Sequence, residues 1–323
     1  MCPQLGWGDP FRLCDKKRQM RAFFISLSES KSLRGIAERS SIGRRLSSRF
    51  VAGMSVENAL EATARVNELG LSVSVDNLGE NVTNPQEARH SAQLYSEMLD
   101  QIAARKLNAN VSLKLTHMGL DVDEALAYSI TRDLVQHAAR INNFVRVDME
   151  GSPYTQKTLD FVRKLHGEPG NQGRVGAVIQ SYLRRSETDV KELCAEGIRI
   201  RLCKGAYKEP AEIAFQEKTE VDASYVRLMQ IMLRSGVYHG IATHDEKMIE
   251  ATLEFAKREN ISPKSFEFQM LYGIRRDLQQ KLAKEGWGMR VYIPFGEEWY
   301  PYLMRRLAER PANAIFILKN LFR

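Results

Sequence analysis

The chain has 323 residues, of which 43% are hydrophobic and 27% are charged, as is typical of a soluble globular protein with one large barrel or two ordinary domains. No run of about 18 apolar residues occurs and no apolar signal-peptide core follows Met1, so we expect neither a membrane-spanning helix nor secretion. The net charge of +7 lies within residues 1–50, which hold 11 Lys or Arg and 4 Asp or Glu.

The first 54 residues form a basic segment, which we interpret as an N-terminal helical arm packed on a larger catalytic domain at residues 55–323. The stretch ESKSLRGIAERSSIGRRLSSRF in this arm is rich in Arg and Ser. An organelle transit segment and a contact with anionic lipid are alternatives for the arm. No nucleic-acid partner is expected, because the basic stretch is short and has few aromatic residues that would stack on bases.

Beyond the arm, helical and strand-like patterns alternate along the chain. The predicted elements are helix 56–69, strand 71–76, helix 84–106, strand 111–115, helix 122–142, strand 144–149, helix 154–166, strand 175–180, helix 186–195, strand 198–203, helix 210–235, strand 240–244, helix 246–258, strand 266–270, helix 274–285, strand 289–293 and a last helix that stops at Pro311. Eight strands separated by helices within about 250 residues favour a closed (β/α)8 barrel. An open doubly wound sheet is disfavoured, because no GxGxxG turn follows the first strand.

The cysteines and histidines show no metal-binding pattern. Cys2, Cys14, Cys194 and Cys203 form no CxxC pair, so we expect free thiols in a reducing, cytoplasmic compartment. The six histidines are scattered without ligand spacing, and no metal site is predicted.

Polar side chains stand at the predicted carboxyl ends of nearly all the strands, where a barrel gathers its catalytic groups. Lys114, Arg201 and Gln269 lie within apolar runs, where an unpaired polar group is costly, so they need partners inside the barrel mouth. The predicted mouth carries more cations than carboxylates, which favours a phosphorylated or carboxylated ligand. The polar strand-end residues are Asp76, Glu80, Lys114, Asp148, Gln180, Arg201, Lys204, Tyr207, Thr243, His244, Asp245, Gln269 and Tyr292.

The last helix begins with WYPYLMRR and places Tyr302 on one face with Arg305 and Arg306. Two neighbouring guanidinium groups beside a phenol suit a small carboxylate, which arginine binds through paired hydrogen bonds. A solvated basic face is the alternative for this pair. Lys114 has two interpretations as well, a Schiff-base lysine of an aldolase-type barrel or a buried lysine paired with a carboxylate.

Nine stretches, in order and together, resemble the proline dehydrogenase family in its compact, single-activity bacterial form. They are DNLGE (76–80), SLKLT (112–116), VDMEGSPYT (147–155), VIQSYLRRS (178–186), RLCKGAY (201–207), ATHD (242–245), FEFQMLYGIR (266–275), VYIPFG (291–296) and YPYLMRRLAERP (300–311). The resemblance covers about residues 20–320. It implies a distorted (β/α)8 barrel that binds FAD and oxidises L-proline to 1-pyrroline-5-carboxylate by hydride transfer to flavin N5.

The resemblance also implies roles for individual residues. Arg305 and Arg306 would clamp the proline carboxylate with help from Lys114, and an ion pair between Glu80 and Arg305 would close the site. The implied ring-lining residues are Leu271, Tyr292 and Tyr302, the residues implied beside the flavin are Asp148 and Tyr207, and the cofactor-binding residues are Met149, Gln180, Arg201, Cys203, Lys204, Gly205, Ala206, Thr243 and His244. Cys203 departs from the small aliphatic residue usual in the family.

The partners implied are a membrane quinone as electron acceptor and a separate pyrroline-5-carboxylate dehydrogenase. The basic arm is the candidate for peripheral contact with the inner face of the cytoplasmic membrane. A 4-hydroxyproline dehydrogenase is the nearest rival, which the bulk of Tyr292 disfavours. A cofactor-free aldolase using Lys114 and a lipid- or nucleic-acid-binding protein are rivals from other classes.

Overall fold

The computed structural model of the protein describes residue 40 and residues 47–309, without the side chains of residues 305 and 307–309. Most of the predicted arm, residues 1–54, therefore lies outside the described residues, and the domain boundary stays a prediction. None of the described helices is long and apolar enough to cross a membrane.

Eight strands in the described part of the chain form a closed barrel, which confirms the predicted fold. Each strand pairs in parallel with the next, and β8 pairs with β1 from Ser72 opposite Arg290 to Asn77 opposite Phe295. The strands are β1 (Ser72–Asn77), β2 (Ala109–Leu113), β3 (Val145–Val147), β4 (Val175–Gln180), β5 (Arg199–Cys203), β6 (His239–Ala242), β7 (Phe266–Leu271) and β8 (Gly288–Phe295).

Helices alternate with the strands, and local capping begins several of them. Ser55 and Asn58 form a capping box at the start of the first described helix, and Asp245 accepts from the backbone N–H of Lys247 at the start of the seventh. The helices are α1 (Val56–Asn67), α2 (Pro85–Ala104), α3 (Glu124–Arg140), α4 (Ser152–Gly167), α5 (Ser186–Ala195), α6 (Lys218–Arg234), α7 (Glu246–Arg258), α8 (Arg276–Lys284) and α9 (Trp299–Glu309).

Successive strand residues face the helices and the barrel interior in turn. Val73 and Val75 are fully buried in the apolar core, whereas Ser74 between them accepts a hydrogen bond from Arg201. Because β1 and β5 are not neighbours, this contact crosses the interior. The inside of the barrel is thus a polar network, and the apolar core lies between the strands and the helices.

The largest difference from the predicted elements lies before α6. The sequence pattern predicted a helix over 210–235, but α6 begins at Lys218. The preceding segment instead bonds the β4–α5 loop, with Arg184 N–H donating to Ile213 and Phe215 N–H donating to Tyr182. These tertiary hydrogen bonds replace those of a helix. Strands β2 and β3 also end one residue before Lys114 and Asp148, so both side chains stand on the rim.

Candidate active site

Arg201 on β5 is the centre of the polar groups in the barrel mouth. Its guanidinium donates to Asp148 at 2.8 Å and to Gln269 at 2.6 Å. The same group donates to Ser112 and Ser74, each at 3.1 Å. Partners from four other strands or strand ends therefore hold this buried cation in one position.

A second cluster surrounds the carboxylate of Asp76, which is fully buried at the end of β1. Lys114 Nζ donates to Asp76 Oδ2 at 3.2 Å, and the hydroxyl of Tyr292 donates to the same oxygen. The hydroxyl of Tyr95, which comes from α2, donates to Oδ1 at 3.0 Å. Tyr292 also lies 3.3 Å from Asp148 Oδ2, which joins this cluster to the Arg201 cluster.

The charges in this cluster oppose the cost of burial. Burial lowers the pKa of Lys114, but the attraction of Asp76 and Asp148 outweighs that effect and raises it overall. Burial raises the pKa of Tyr292, as do the neighbouring carboxylates, so its hydroxyl stays protonated. A Schiff-base lysine needs a neutral amine at working pH, so the aldolase interpretation of Lys114 is disfavoured and the paired-lysine interpretation fits.

Below the mouth, a chain of hydrogen bonds continues towards the amino-terminal ends of the strands. Gln269 Nε2 donates to Glu267 at 2.7 Å, and Arg290 Nε donates to the same carboxylate oxygen at 2.6 Å. The second oxygen of Glu267 accepts from the hydroxyl of Tyr238 at 2.9 Å. Gln269 therefore supports Arg201 from below and is itself fixed by a buried ion pair.

The last residue of β5 and the loop after it carry four of the residues implied for cofactor binding. Burial raises the pKa of Cys203 to about 12, so its thiol is neutral. Lys204 forms ion pairs with Asp222 on α6 and, at 2.7 Å, with Asp245 at the start of α7. Gly205 has a φ of +104°, and a Cβ there would come within 2.2 Å of the Tyr182 ring. This loop is held by both charge and steric fit, with Ala206 following on its exposed side.

The ends of β4 and β6 place three further predicted residues. Gln180 donates to the backbone carbonyl of Glu150 at 2.9 Å. Thr243 accepts from the backbone N–H of Asp245 through its hydroxyl. His244 Nε2 accepts from the backbone N–H of Leu271 at 2.9 Å, which links the ends of β6 and β7.

Helix α9 lies on the carboxyl-end face of the barrel. Tyr302, Leu303 and Met304 are buried in one apolar cluster with Leu78, which follows β1. The guanidinium of Arg306 lies 5.3 Å from the centre of the Tyr302 ring. The charge of Arg306 also lowers the pKa of Cys203, so this guanidinium lies within electrostatic reach of the end of β5. Arg305 lies in α9, but its side chain is outside the described residues.

The remaining predicted residues border the same region. The carboxylate of Glu80 and the phenol of Tyr207 both interact electrostatically with Lys114. Tyr207 is one of few exposed large hydrophobic side chains in the described part of the chain, whereas Met149 is buried. The ion pair predicted between Glu80 and Arg305 concerns a side chain outside the described residues and stays a prediction.

Sequence reasoning missed several groups that support the site. Asp76 was recognised as a strand-end carboxylate but given no role, and Tyr95 gave no signal because it lies in a helix. Glu150 accepts from the hydroxyl of Thr116 at 2.6 Å, so it anchors the segment that follows Lys114. The sequence feature that could have identified Glu150 is its position two residues after Asp148, just after the same strand.

Comparison with known proteins places the chain in a family. The family model described as "Proline dehydrogenase" matches residues 59–319. Proline dehydrogenase 2 of Bacillus subtilis is 41% identical over 301 residues, which is 93% of this chain and 98% of that protein. The proline dehydrogenase of Deinococcus radiodurans is 40% identical over 281 residues, covering 86% and 90% of the two chains.

The solved structures agree on the fold. The crystal structure of proline utilization A from Bdellovibrio bacteriovorus, inactivated by N-propargylglycine, superposes with a TM-score of 0.81 at 25% identity. That alignment covers 93% of this chain and 37% of the other, so the present chain spans little more than a third of that longer protein.

Proposed function

Because the chain belongs to the proline dehydrogenase family, enzymes that oxidise proline in the first step of its catabolism, we propose that it converts L-proline to 1-pyrroline-5-carboxylate with FAD as the hydride acceptor. FAD, when bound, would supply the redox chemistry by accepting the hydride at N5. The protein's own contribution is then to bind, orient and shield the substrate.

The observation that carries the proposal is the fixed, buried cation of Arg201. Its guanidinium is held by Asp148, Gln269, Ser112 and Ser74. A flavin becomes more negative on reduction, and a cation already fixed beside it stabilises that charge without reorganisation. The donor set of the mouth therefore fits a flavin.

Further groups that would hold the cofactor come from neighbouring strand ends. Gln180, Thr243 and His244 stand after β4 and β6 and are each oriented by a backbone partner. The remaining residues proposed to line the cofactor are Met149, Asp148, Cys203, Lys204, Gly205, Ala206 and Tyr207. Lys204 would act mainly by fixing its loop, because its ammonium already pairs with Asp222 and Asp245.

The substrate carboxylate would be bound by cations from two sides of the mouth. Lys114 stands after β2 with its charge maintained by Asp76, and Arg306, whose charge acts on Cys203 at the end of β5, would reach the mouth from α9. Arg305 follows from the family resemblance. Three cations at one end of a small ring fix its orientation, which is the main requirement for hydride loss from the carbon beside nitrogen. Leu271, Tyr292 and Tyr302 would wall the ring, and an ion pair between Glu80 and Arg305 would close the site.

An anaerobic titration tests this function. The purified, flavin-loaded protein should absorb near 450 nm, as flavoproteins do, and L-proline should bleach that band. D-proline and trans-4-hydroxy-L-proline should bleach it far more slowly. A colourless protein after addition of FAD would contradict the proposal, and equal bleaching by hydroxyproline would favour the hydroxyproline rival.

The electrons would pass to a membrane quinone, and the product to a separate pyrroline-5-carboxylate dehydrogenase. Support comes from the basic composition of residues 1–50, which would attract anionic lipid at the inner face of the cytoplasmic membrane. Quinone reduction should therefore be faster with anionic than with neutral vesicles. Deletion of residues 1–46 should remove that difference, and an unchanged rate in anionic vesicles would contradict the membrane role.

A further inference from the structure

Asp76 is the most completely buried carboxylate of the mouth, and all three of its side-chain partners are donors. Its side chain has 0% exposure, whereas the side chains of Lys114 and Asp148 retain 12% and 13%. Asp76 thus lies behind the groups it bonds and cannot reach a ligand in the mouth. Its partners Lys114 and Tyr292 are the groups expected to meet substrate.

Burial raises the pKa of Asp76, whereas the charge of Lys114 and the hydrogen bonds from Tyr292 and Tyr95 oppose that rise, and this set of donors suits the ionised carboxylate. Oδ2 accepts from Lys114 and Tyr292, and Oδ1 accepts from Tyr95. A proton on either oxygen would displace one of these donors. The Tyr95 hydroxyl is itself fixed, because it accepts from the backbone N–H of Asn77 at 3.2 Å. The carboxylate is therefore held from α2, which lies outside the barrel.

We propose that Asp76 is a positioning residue that orients the Lys114 ammonium and the Tyr292 hydroxyl and keeps Lys114 charged, so that the mouth binds carboxylates over a wide pH range. The binding part of this inference rests on the proposed function, whereas the coupling of Asp76 to Lys114 does not. The other titratable groups that interact with Lys114 are Asp148, Glu80, Tyr207, Glu150 and His117.

The charge of Asp76 is the component that matters for Lys114. Burial alone lowers the pKa of this lysine, and Asp76 makes the largest opposing contribution. Asp76→Asn keeps the size of the side chain and one acceptor oxygen but removes the charge. Lys114 should then lose its proton at a lower pH than in the wild type, and the mouth should lose a cation as the pH rises.

Two measurements on the flavin-loaded protein test the inference. Lysine labelled with 13C at Cε reports the titration of Lys114, whose signal is assigned by its absence in Lys114→Met. Calorimetry with cyclopentanecarboxylate, a ring acid without a titratable amine, reports carboxylate binding from pH 6 to 10. In the wild type we expect no Lys114 titration and a constant Kd. In Asp76→Asn we expect titration within this range and a Kd that rises about 10- to 100-fold above the midpoint.

Asp189→Asn is the matched control, because it makes the same substitution in the ion pair with Arg185, which has no role in the proposed site. It should leave the Lys114 titration and the pH profile of binding as in the wild type. Unchanged titration of Lys114 in Asp76→Asn would overturn the inference. If Lys114 titrates as expected but cyclopentanecarboxylate binds to neither protein, the coupling stands and the proposed substrate class is wrong.

A reciprocal measurement covers the case in which Asp76→Asn does not fold. Lys114→Met removes the counter-charge, so the buried Asp76 should take up a proton. The infrared carbonyl band of protonated carboxylic acid should then be stronger at pH 7 in Lys114→Met than in the wild type. Identical infrared spectra in the two proteins would overturn the inference.

Discussion

Arg201 Nη1 lies 2.8 Å from Asp148 Oδ1 and joins β5 to the end of β3, although β4 separates these two strands. The ion pair therefore spans the interior of the barrel rather than the sheet. Neither side chain is exposed by more than 13%. Removing one partner of a buried ion pair leaves the other charge buried without compensation, which strongly destabilises the folded protein.

Arg201→Lys should lower the rate of flavin reduction by L-proline about 100-fold or more, measured by anaerobic stopped flow. Lysine keeps the charge but cannot bond Gln269, Ser74 and Asp148 at once, and each bond to a charged group contributes roughly 1.5–3 kcal/mol. Ser74→Ala removes only one of these hydrogen bonds and should lower the rate of flavin reduction by less than about tenfold. Wild-type rates in Arg201→Lys would contradict the role given to the guanidinium.

Gly205→Ala should reduce the flavin content of the purified protein and lower its thermal stability. The added Cβ would meet the Tyr182 ring at 2.2 Å in a backbone conformation with φ of +104°. Gly197→Ala is the control, because Gly197 also has positive φ (+72°) but nothing lies within 4 Å of its Cβ position. Gly197→Ala should lower the free energy of unfolding by only about 1–2 kcal/mol. Equal flavin content in the two variants would show that the Gly205 loop does not hold the cofactor.

Glu209→Ala should loosen the segment between β5 and α6. The Glu209 carboxylate accepts from the backbone N–H of Ser152 at 2.7 Å and from its hydroxyl at 2.6 Å, at the start of α4. Faster tryptic cleavage at Lys208 and faster flavin release are expected. Glu212→Ala, an exposed change in the same segment, should leave both rates unchanged. Cleavage of both variants at the wild-type rate would contradict this role of Glu209.

Stability should fall as the pH drops below about 6.5, the unfolded pKa of histidine. Burial lowers the pKa of His239 to about 3 and that of His117 to about 4, so the unfolded chain binds more protons in this window. Each histidine should remove up to about 1.4 kcal/mol per pH unit. His239→Asn should reduce the slope of unfolding free energy between pH 6.5 and 5, measured in urea. An unchanged slope would contradict this account.

The barrel was predictable because its signal is local. Alternating apolar strands and helices appear in the sequence, and Asp245 and Ser55 mark helix starts that the structure retains. The helix predicted to start at residue 210 was wrong before Lys218. There, backbone hydrogen bonds to Tyr182 and Arg184 take the place of helical hydrogen bonds. Hydrogen bonds between segments that are distant along the chain leave no periodic trace.

The sequence by itself determined the number and order of strands, the polar residues at their ends and the tyrosine–arginine face of the last helix. These features follow from side-chain period and spacing, which are properties of neighbouring residues. Only the tertiary structure decided which polar groups meet. It placed Asp76 between Lys114 and Tyr292 and paired Lys204 with Asp222 and Asp245. Closing the sheet into a barrel brings residues more than 200 positions apart within hydrogen-bond distance, and that closure depends on packing of the whole chain.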